Sequence, residues 1–179
     1  MKSGFSHGRI ASMDTDYRLV RTGDAPLLLD FMRQVAGDTD NLATSIADID
    51  AMDVKDEELF IAELKRAMDV FVLAIADEKV IGTCEIRMSR RLRTKHRGEL
   101  AIAVRKEFWG KGVAGHLLEF AIDEAKERGV TKLNLETRID NERAKAFFTK
   151  NGFVSEGKDS ELLFIDGEYI DGERFGKII

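Results

Sequence analysis

Between positions 100 and 115 an apolar segment, Leu100-Ala-Ile-Ala-Val104, runs through Arg105-Lys-Glu-Phe-Trp109 into Gly110-Lys-Gly112-Val-Ala114-Gly115. A strand that turns through glycines into a helix leaves the first helical N–H groups unpaired, and the aligned peptide dipoles place about half a positive charge there. Glycines let an oxyanion approach the main chain, so this is a candidate anion site, most simply for a pyrophosphate. The Lys-Ser/Thr ending of a nucleotide P-loop is missing, as is G-x-G-x-x-G. Two glycines also suit an ordinary tight turn. Arg105, Lys106 and Lys111 are candidates for a further phosphate, or solvated surface charges. Asn141 is placed to cap a helix. Cys84, in an apolar strand, reads as a small core residue rather than a nucleophile, and His116, just inside the glycine-loop helix, as a polar surface or packing residue.

The elements that must position these residues follow from hydrophobic periodicity. A strand is expected at 17–21. A helix follows at 24–36, with Asp24 as its cap, Pro26 in its first turn and Gly37 as its stop. Positions 38–58 hold eight acidic residues against the single Lys55. They lead into a helix at 56–68 with Leu59, Phe60, Ile61, Leu64 and Met68 as its apolar stripe. A hairpin of 71–76 and 80–88 about Asp77-Glu78-Lys79, a basic connection at 90–97 and a strand at 99–104 come next. The glycine loop opens a helix to Arg128, stopped by Gly129. A strand at 132–137, a helix at 141–151, strands at 153–157 and 161–165 and an unassigned tail complete the chain. The order β-α-α-β-β-β-α-β-α-β-β is that of one mixed-sheet α/β domain at 17–179, with 1–16 as a flexible lead-in.

Composition narrows the function classes. The 179 residues are 44% hydrophobic and hold 28 Lys+Arg against 33 Asp+Glu, a net charge of −5. That balance argues against general attraction to nucleic acid. One cysteine excludes an internal disulfide and a multi-cysteine zinc site, and three histidines make a histidine-built metal centre unexpected. No apolar run is long enough to span a bilayer, and 1–13 has no apolar core of a signal peptide. That stretch reads as a disordered leader or tag remnant, with Met13 a candidate natural start. A cytoplasmic protein that engages neither membrane nor nucleic acid is the expectation.

Val104…Trp109-Gly-Lys-Gly-Val-Ala114 resembles the acetyl-coenzyme A loop of the GNAT superfamily of N-acetyltransferases. Asn141-Glu-Arg-Ala144-Lys-Ala-Phe147-Phe148-Thr-Lys-Asn-Gly152-Phe153 resembles its second signature, Asn-x-x-Ala-x-x-x-Tyr-x-x-x-Gly-Phe. The likeness covers about 17–165. The segment 165–171 is similar to the ending of the branch that includes ribosomal-protein amino-terminal acetyltransferases. Two positions depart from the pattern. Trp109 stands where many members carry Arg or Gln, and Phe148 where a tyrosine commonly protonates the leaving thiolate, a proton phenylalanine does not have.

The resemblance implies a GNAT-like fold and acetyl-CoA as acyl donor. It implies contacts from Ile102, Ala103, Val104, Trp109, Gly110, Lys111, Gly112, Val113, Ala114 and Gly115, and from Asn141, Ala144, Phe147 and Phe148. It further implies direct transfer to a primary amine in a ternary complex. A homodimer is compatible with it. The amine must lose a proton to attack. Glu99, on the strand face of the small Ala101 and Ala103, is the first candidate base, and Glu136 the second; as surface residues, Glu99 would instead pair with Arg97 or Arg138. If the acidic stretch 38–58 borders the acceptor cleft, it favours a cationic amine. The alternatives are a CoA-binding sensor with little catalysis, for which Phe148 argues, and a structural domain without a cofactor.

Overall fold

Val70–Ala76 is buried along nearly its whole length, so the strand it forms must be covered on both faces. That strand, β3, sorts its side chains accordingly. Val70, Val72 and Ala74 join one core layer, and Phe71 and Leu73 the other. The computed structural model describes residues 6–10 and 13–179, with side chains from Asp14 onward.

β1 (Ser6–Ile10) and β2 (Met13–Leu19) precede three helices, α1 (Ala25–Asp38), α2 (Ile46–Asp50) and α3 (Val54–Ala67). β3 and β4 (Lys79–Met88) form the expected hairpin. Its turn residues Asp77 and Glu78 both have positive φ, 48° and 61°, the combination a two-residue turn between twisted strands requires. β5 (Arg97–Val104), α4 (Val113–Glu127), β6 (Lys132–Arg138), α5 (Glu142–Lys150), β7 (Val154–Ile165) and β8 (Glu168–Ile178) follow. All eight strands lie in one sheet of order β1-β2-β3-β4-β5-β6-β8-β7. Among the described residues only β5 and β6 pair in parallel, as a strand–helix–strand crossover through α4 demands. α4 covers one face with Val113, Leu117, Leu118 and Ala121, while α1 and α3 cover the other with Leu28, Phe31, Ile61 and Leu64.

The expected fold class and element order are present, with several changes of detail. β2 begins at Met13, and 6–10 pairs with it, so part of the expected lead-in is strand; 1–5 and 11–12 lie outside the described residues. α1 runs through Gly37 to Asp38, and the Asp24 carboxylate does not cap it. Instead Asp24 takes both terminal nitrogens of Arg18 at 2.7 Å and the Arg21 N–H at 2.7 Å. The acidic stretch holds α2 and the start of α3 because Ser45–Asp48 and Asp53–Asp56 form reciprocal capping boxes. The α3 stripe is rotated from expectation: Leu59 and Met68 are exposed, and Glu57 is buried. The strands expected at 153–157 and 161–165 are one long strand, β7, with register shifts at 155–157 and 159–163. The unassigned tail is β8, inserted between β6 and β7.

Candidate active site

β5 and β6 share three rungs, Arg97↔Lys132, Gly98↔Leu133 and Glu99↔Asn134. Beyond them β5 continues along β4 as far as Gly82↔Val104, and β6 along β8 as far as Arg138↔Gly172. The facing edges 100–104 and 135–138 therefore part inside the sheet, with no strand partner among the described residues. Such a slot offers main-chain donors and acceptors to an extended, amide-bearing ligand, as a sheet edge does to an added strand.

The glycine loop closes one end of this slot. Gly110 and Gly112 have φ of 73° and 86°, and a Cβ at either would meet nothing within 4 Å. Gly112 is the N-cap of α4 and provides no side-chain cap. The His116 N–H reaches Gly112 O, but among the described residues no acceptor takes the Val113, Ala114 or Gly115 N–H. Unpaired amides at a helix N-terminus, open space and glycine conformation together fit a pyrophosphate. Ile102 and Val104 are half-buried against the α4 layer, and Ala103 against the α1–α3 layer. Arg105 pairs with Glu107, and the Lys111 ammonium lies over the Phe108 ring.

Trp109 has a role that its sequence position does not announce. Its Nε1 donates to Val104 O at 2.6 Å, and the Arg143 guanidinium carbon lies 3.0 Å from the ring centroid. Burial holds the Arg143 pKa below its usual value. The pair links the loop after β5 to the helix after β6 across the mouth of the slot. A second link comes from the end of α1 and the connection after it: Asp38 Oδ2 accepts from Lys106 N at 3.1 Å, and Asp40 O from Arg138 Nη1 at 3.2 Å. On the β6 side Asn141 caps α5, its Oδ1 taking the Ala144 N–H at 3.2 Å. Phe147 is half-buried, and Phe148, 5% exposed, packs with Phe147, Phe153 and Phe175 at centroid distances of 5.3, 5.6 and 6.3 Å.

Glu99 occupies the last rung before the strands part. Its Oε1 accepts from Asn134 Nδ2 at 3.0 Å, and among the described residues it forms no ion pair. Arg138 pairs with Asp140 instead. A cavity of about 420 Å³ borders Glu99, lined also by Arg87, Met88, Ser89, Thr94 and Arg97. Asn134 is buried, and its Oδ1 has no partner; nothing in the sequence marks it, because a lone polar residue in an apolar strand has no motif. Glu136 lies two residues along but is taken by Arg174, whose Nη2 and Nε donate to it at 2.6 and 3.0 Å. Cys84 is fully buried and its thiol pKa is pushed well up by burial, then by Glu85. His116 is exposed beside the Tyr17 ring. Among the described residues no acid, histidine or cysteine cluster could hold a metal, and no helix is long and apolar enough to cross a membrane.

A mixed sheet whose parallel pair parts over a glycine-capped helix defines a site for an extended, phosphate-bearing donor. Residues 39–153 match the acetyltransferase (GNAT) family model, and the chain belongs to that family, whose acyl donor is acetyl-CoA. A GNAT-family acetyltransferase from Streptococcus pneumoniae superposes with a TM-score of 0.86 at 29% identity, over 92% of this chain and 99% of that one. N-alpha-acetyltransferase 30 of Schizosaccharomyces pombe is 34% identical over 82 residues, 45% of this chain and 55% of that protein. Spermidine N(1)-acetyltransferase of Vibrio cholerae is 32% identical over 106 residues, 58% of this chain and 60% of that protein. The chain thus spans less than two thirds of either curated relative.

Proposed function

We propose that this protein transfers the acetyl group of acetyl-CoA directly to a cationic primary amine, with Glu99 as the general base. The observation that carries the reading is the position of Glu99, at the head of a slot whose other end is the glycine loop. Its carboxylate is exposed, accepts from Asn134 and forms no ion pair among the described residues, with Arg87 in register across the strand pair and Arg97 in the same cavity. Glu136, tied to Arg174, is the weaker base.

The unpaired amides at 113–115 and the open glycines would hold the pyrophosphate of the donor, and the parted edges of β5 and β6 its amide-bearing arm. The acceptor arrives as an ammonium ion, and Glu99 takes its proton directly or through one water. The freed nitrogen then forms the C–N bond to the acetyl carbonyl as the C–S bond breaks, and the second proton that the nitrogen sheds passes through water toward the departing thiolate. Phe148 has no proton for the departing thiolate, and Tyr169, 66% exposed and stacked on Phe164 at the β7–β8 turn, is not at the slot. Water supplies that proton, a modest demand for a thiol of pKa about 8.5. Burial of the sole cysteine supports direct transfer over a cysteine-bound acyl intermediate. The links from Asp38 and Asp40 to Lys106 and Arg138 bring the start of the acidic stretch to the mouth of the slot, and this supports a cationic acceptor.

The test is release of free thiol from acetyl-CoA across a panel of diamines, monoamines, amino acids and amino-terminal peptides, with mass spectrometry locating the acylated nitrogen. Turnover with cationic amines is expected. Acetyl-CoA binding without turnover on any member would favour the sensor alternative.

A further inference from the structure

Glu57 lies in the first turn of α3 and is 1% exposed, and neither of its carboxyl oxygens has a hydrogen-bond partner. Burial pushes its pKa up to about 7, and the charge of Glu85 adds to the rise. Glu85, on β4, stands in register with Phe71 of β3 and Ala101 of β5. The layer around the two carboxyls gains only apolar groups from β3: Phe71, Leu73 and Ile75. The cation near them is Arg87, whose Nε donates to Glu85 at 2.5 Å while its guanidinium lies 5.5 Å from the centre of the Phe60 ring. Arg87 is thus paired with Glu85 and stands in register with Glu99, and Glu57 is left without a partner among the described residues. A buried, unpaired acid of this kind is costly to keep.

The direction in which this pair opens gives it a use. Ala101 is exposed and belongs to the part of β5 that has lost β6. The row Glu57, Glu85, Ala101 therefore leads from the interior to the slot. Glu99 is on the same strand face as Ala101, so Glu85 and Glu99 are diagonal neighbours, about 7–8 Å apart across adjacent strands.

We infer that Glu85, backed by Glu57, forms a subsite for a second, non-reacting ammonium group of the acceptor, which makes the acceptor class a linear diamine or polyamine. The inference rests on the reading of Glu99 as the base that receives the reacting amine. Glu85 would touch the second ammonium. Glu57 is a positioning residue that acts through Glu85, because a cation seated there relieves the repulsion between the two carboxyls. The diagonal spacing suits two nitrogens joined by roughly four carbons.

The experiment compares 1,4-diaminobutane, butylamine and 4-aminobutanoate, by turnover and by calorimetric binding to the acetyl-CoA-loaded protein. The acid-ended compound is included because Arg87 and Arg97 line the neighbouring cavity. The diamine is expected to exceed butylamine by about tenfold or more in kcat/KM, the worth of one charge-assisted contact, with 4-aminobutanoate poorest. Glu85→Gln and Glu57→Gln should each shrink that advantage toward unity, chiefly through the KM for the diamine. Equal use of diamine and butylamine, a preference for 4-aminobutanoate, or an undiminished advantage in both variants would overturn the subsite. If acetyl-CoA binds but no amine is acetylated, the transfer reading fails, and calorimetry alone decides the subsite. Diamine binding that exceeds butylamine binding and is lost in the variants upholds it, and equal binding overturns it.

Discussion

At the C-terminal end of β5 the groups proposed for recognition are main-chain: unpaired amides at 113–115 and two glycines in the left-handed region. At its N-terminal end they are side chains from separate elements, with Glu99 on β5, Asn134 on β6, Glu85 on β4 and Glu57 on α3. The first end tolerates little change in backbone conformation but is indifferent to most side-chain chemistry. The second depends on side-chain charge while its backbone is ordinary strand. Donor binding and acceptor choice should therefore be separable by mutation.

The sharpest break is Gly112→Asp, which sets a carboxylate where the donor's pyrophosphate is proposed to lie. Like charges in contact cost several kcal/mol, so acetyl-CoA affinity should fall by on the order of a hundredfold or more by calorimetry. Equal affinity would remove the donor site from this loop. Glu99→Gln strikes the other end. Acetyl-CoA binding should survive while the rate near neutral pH drops by roughly 10²- to 10⁴-fold. That deficit should narrow as pH approaches the acceptor's own pKa, and an unaltered pH–rate profile would return Glu99 to the surface.

Glu57 gives the comparison a pH axis. Its folded pKa is raised from 4.5 to about 7, so the native state holds the proton more tightly than the unfolded chain. Its favourable share of stability is complete below pH 4.5 and is lost as pH rises through 7, amounting to about 3 kcal/mol at full ionisation. The thermal midpoint of the native protein should fall over this range relative to that of Glu57→Gln. Parallel curves would mean that Glu57 ionises freely. Trp109→Ala removes the bond to Val104 O and the Arg143 stack, and about tenfold weaker acetyl-CoA binding is expected, with acceptor preference intact. The smallest effect should come from Phe148→Tyr, a gain in turnover at nearly constant CoA affinity; no gain would show that the thiolate needs no acid from this position.

This contrast also explains what the sequence made legible. The proposed donor loop needs glycines at alternate positions, 110 and 112, and a helix start directly after them, and both are local. Asn134 and Glu99 are 35 residues apart, and no spacing rule links them. Glu57 falls within an acidic run and reads as a solvated position; only the rotation of α3, with Leu59 and Met68 outward, turns it in. Trp109 is legible as a departure from a motif, but its partner Arg143 is not, since the stack exists only because β5 and β6 end side by side. β8 escaped notice because Gly172-Glu-Arg-Phe-Gly176 sets two adjacent charges and one aromatic between glycines, and the strand buries little apolar surface besides Phe175.

The three rungs between β5 and β6 also have a mechanical consequence. On one side of them lie β1–β5 with α4 packed over β2–β5, and on the other lie β6–β8. Two stiff plates joined along so short a seam bend most easily at the seam. Filling the slot would splint that joint, so amide exchange in the rungs at 97–99 and 132–134 should slow when acetyl-CoA binds, while the middle of β3 and β4 stays as protected as before.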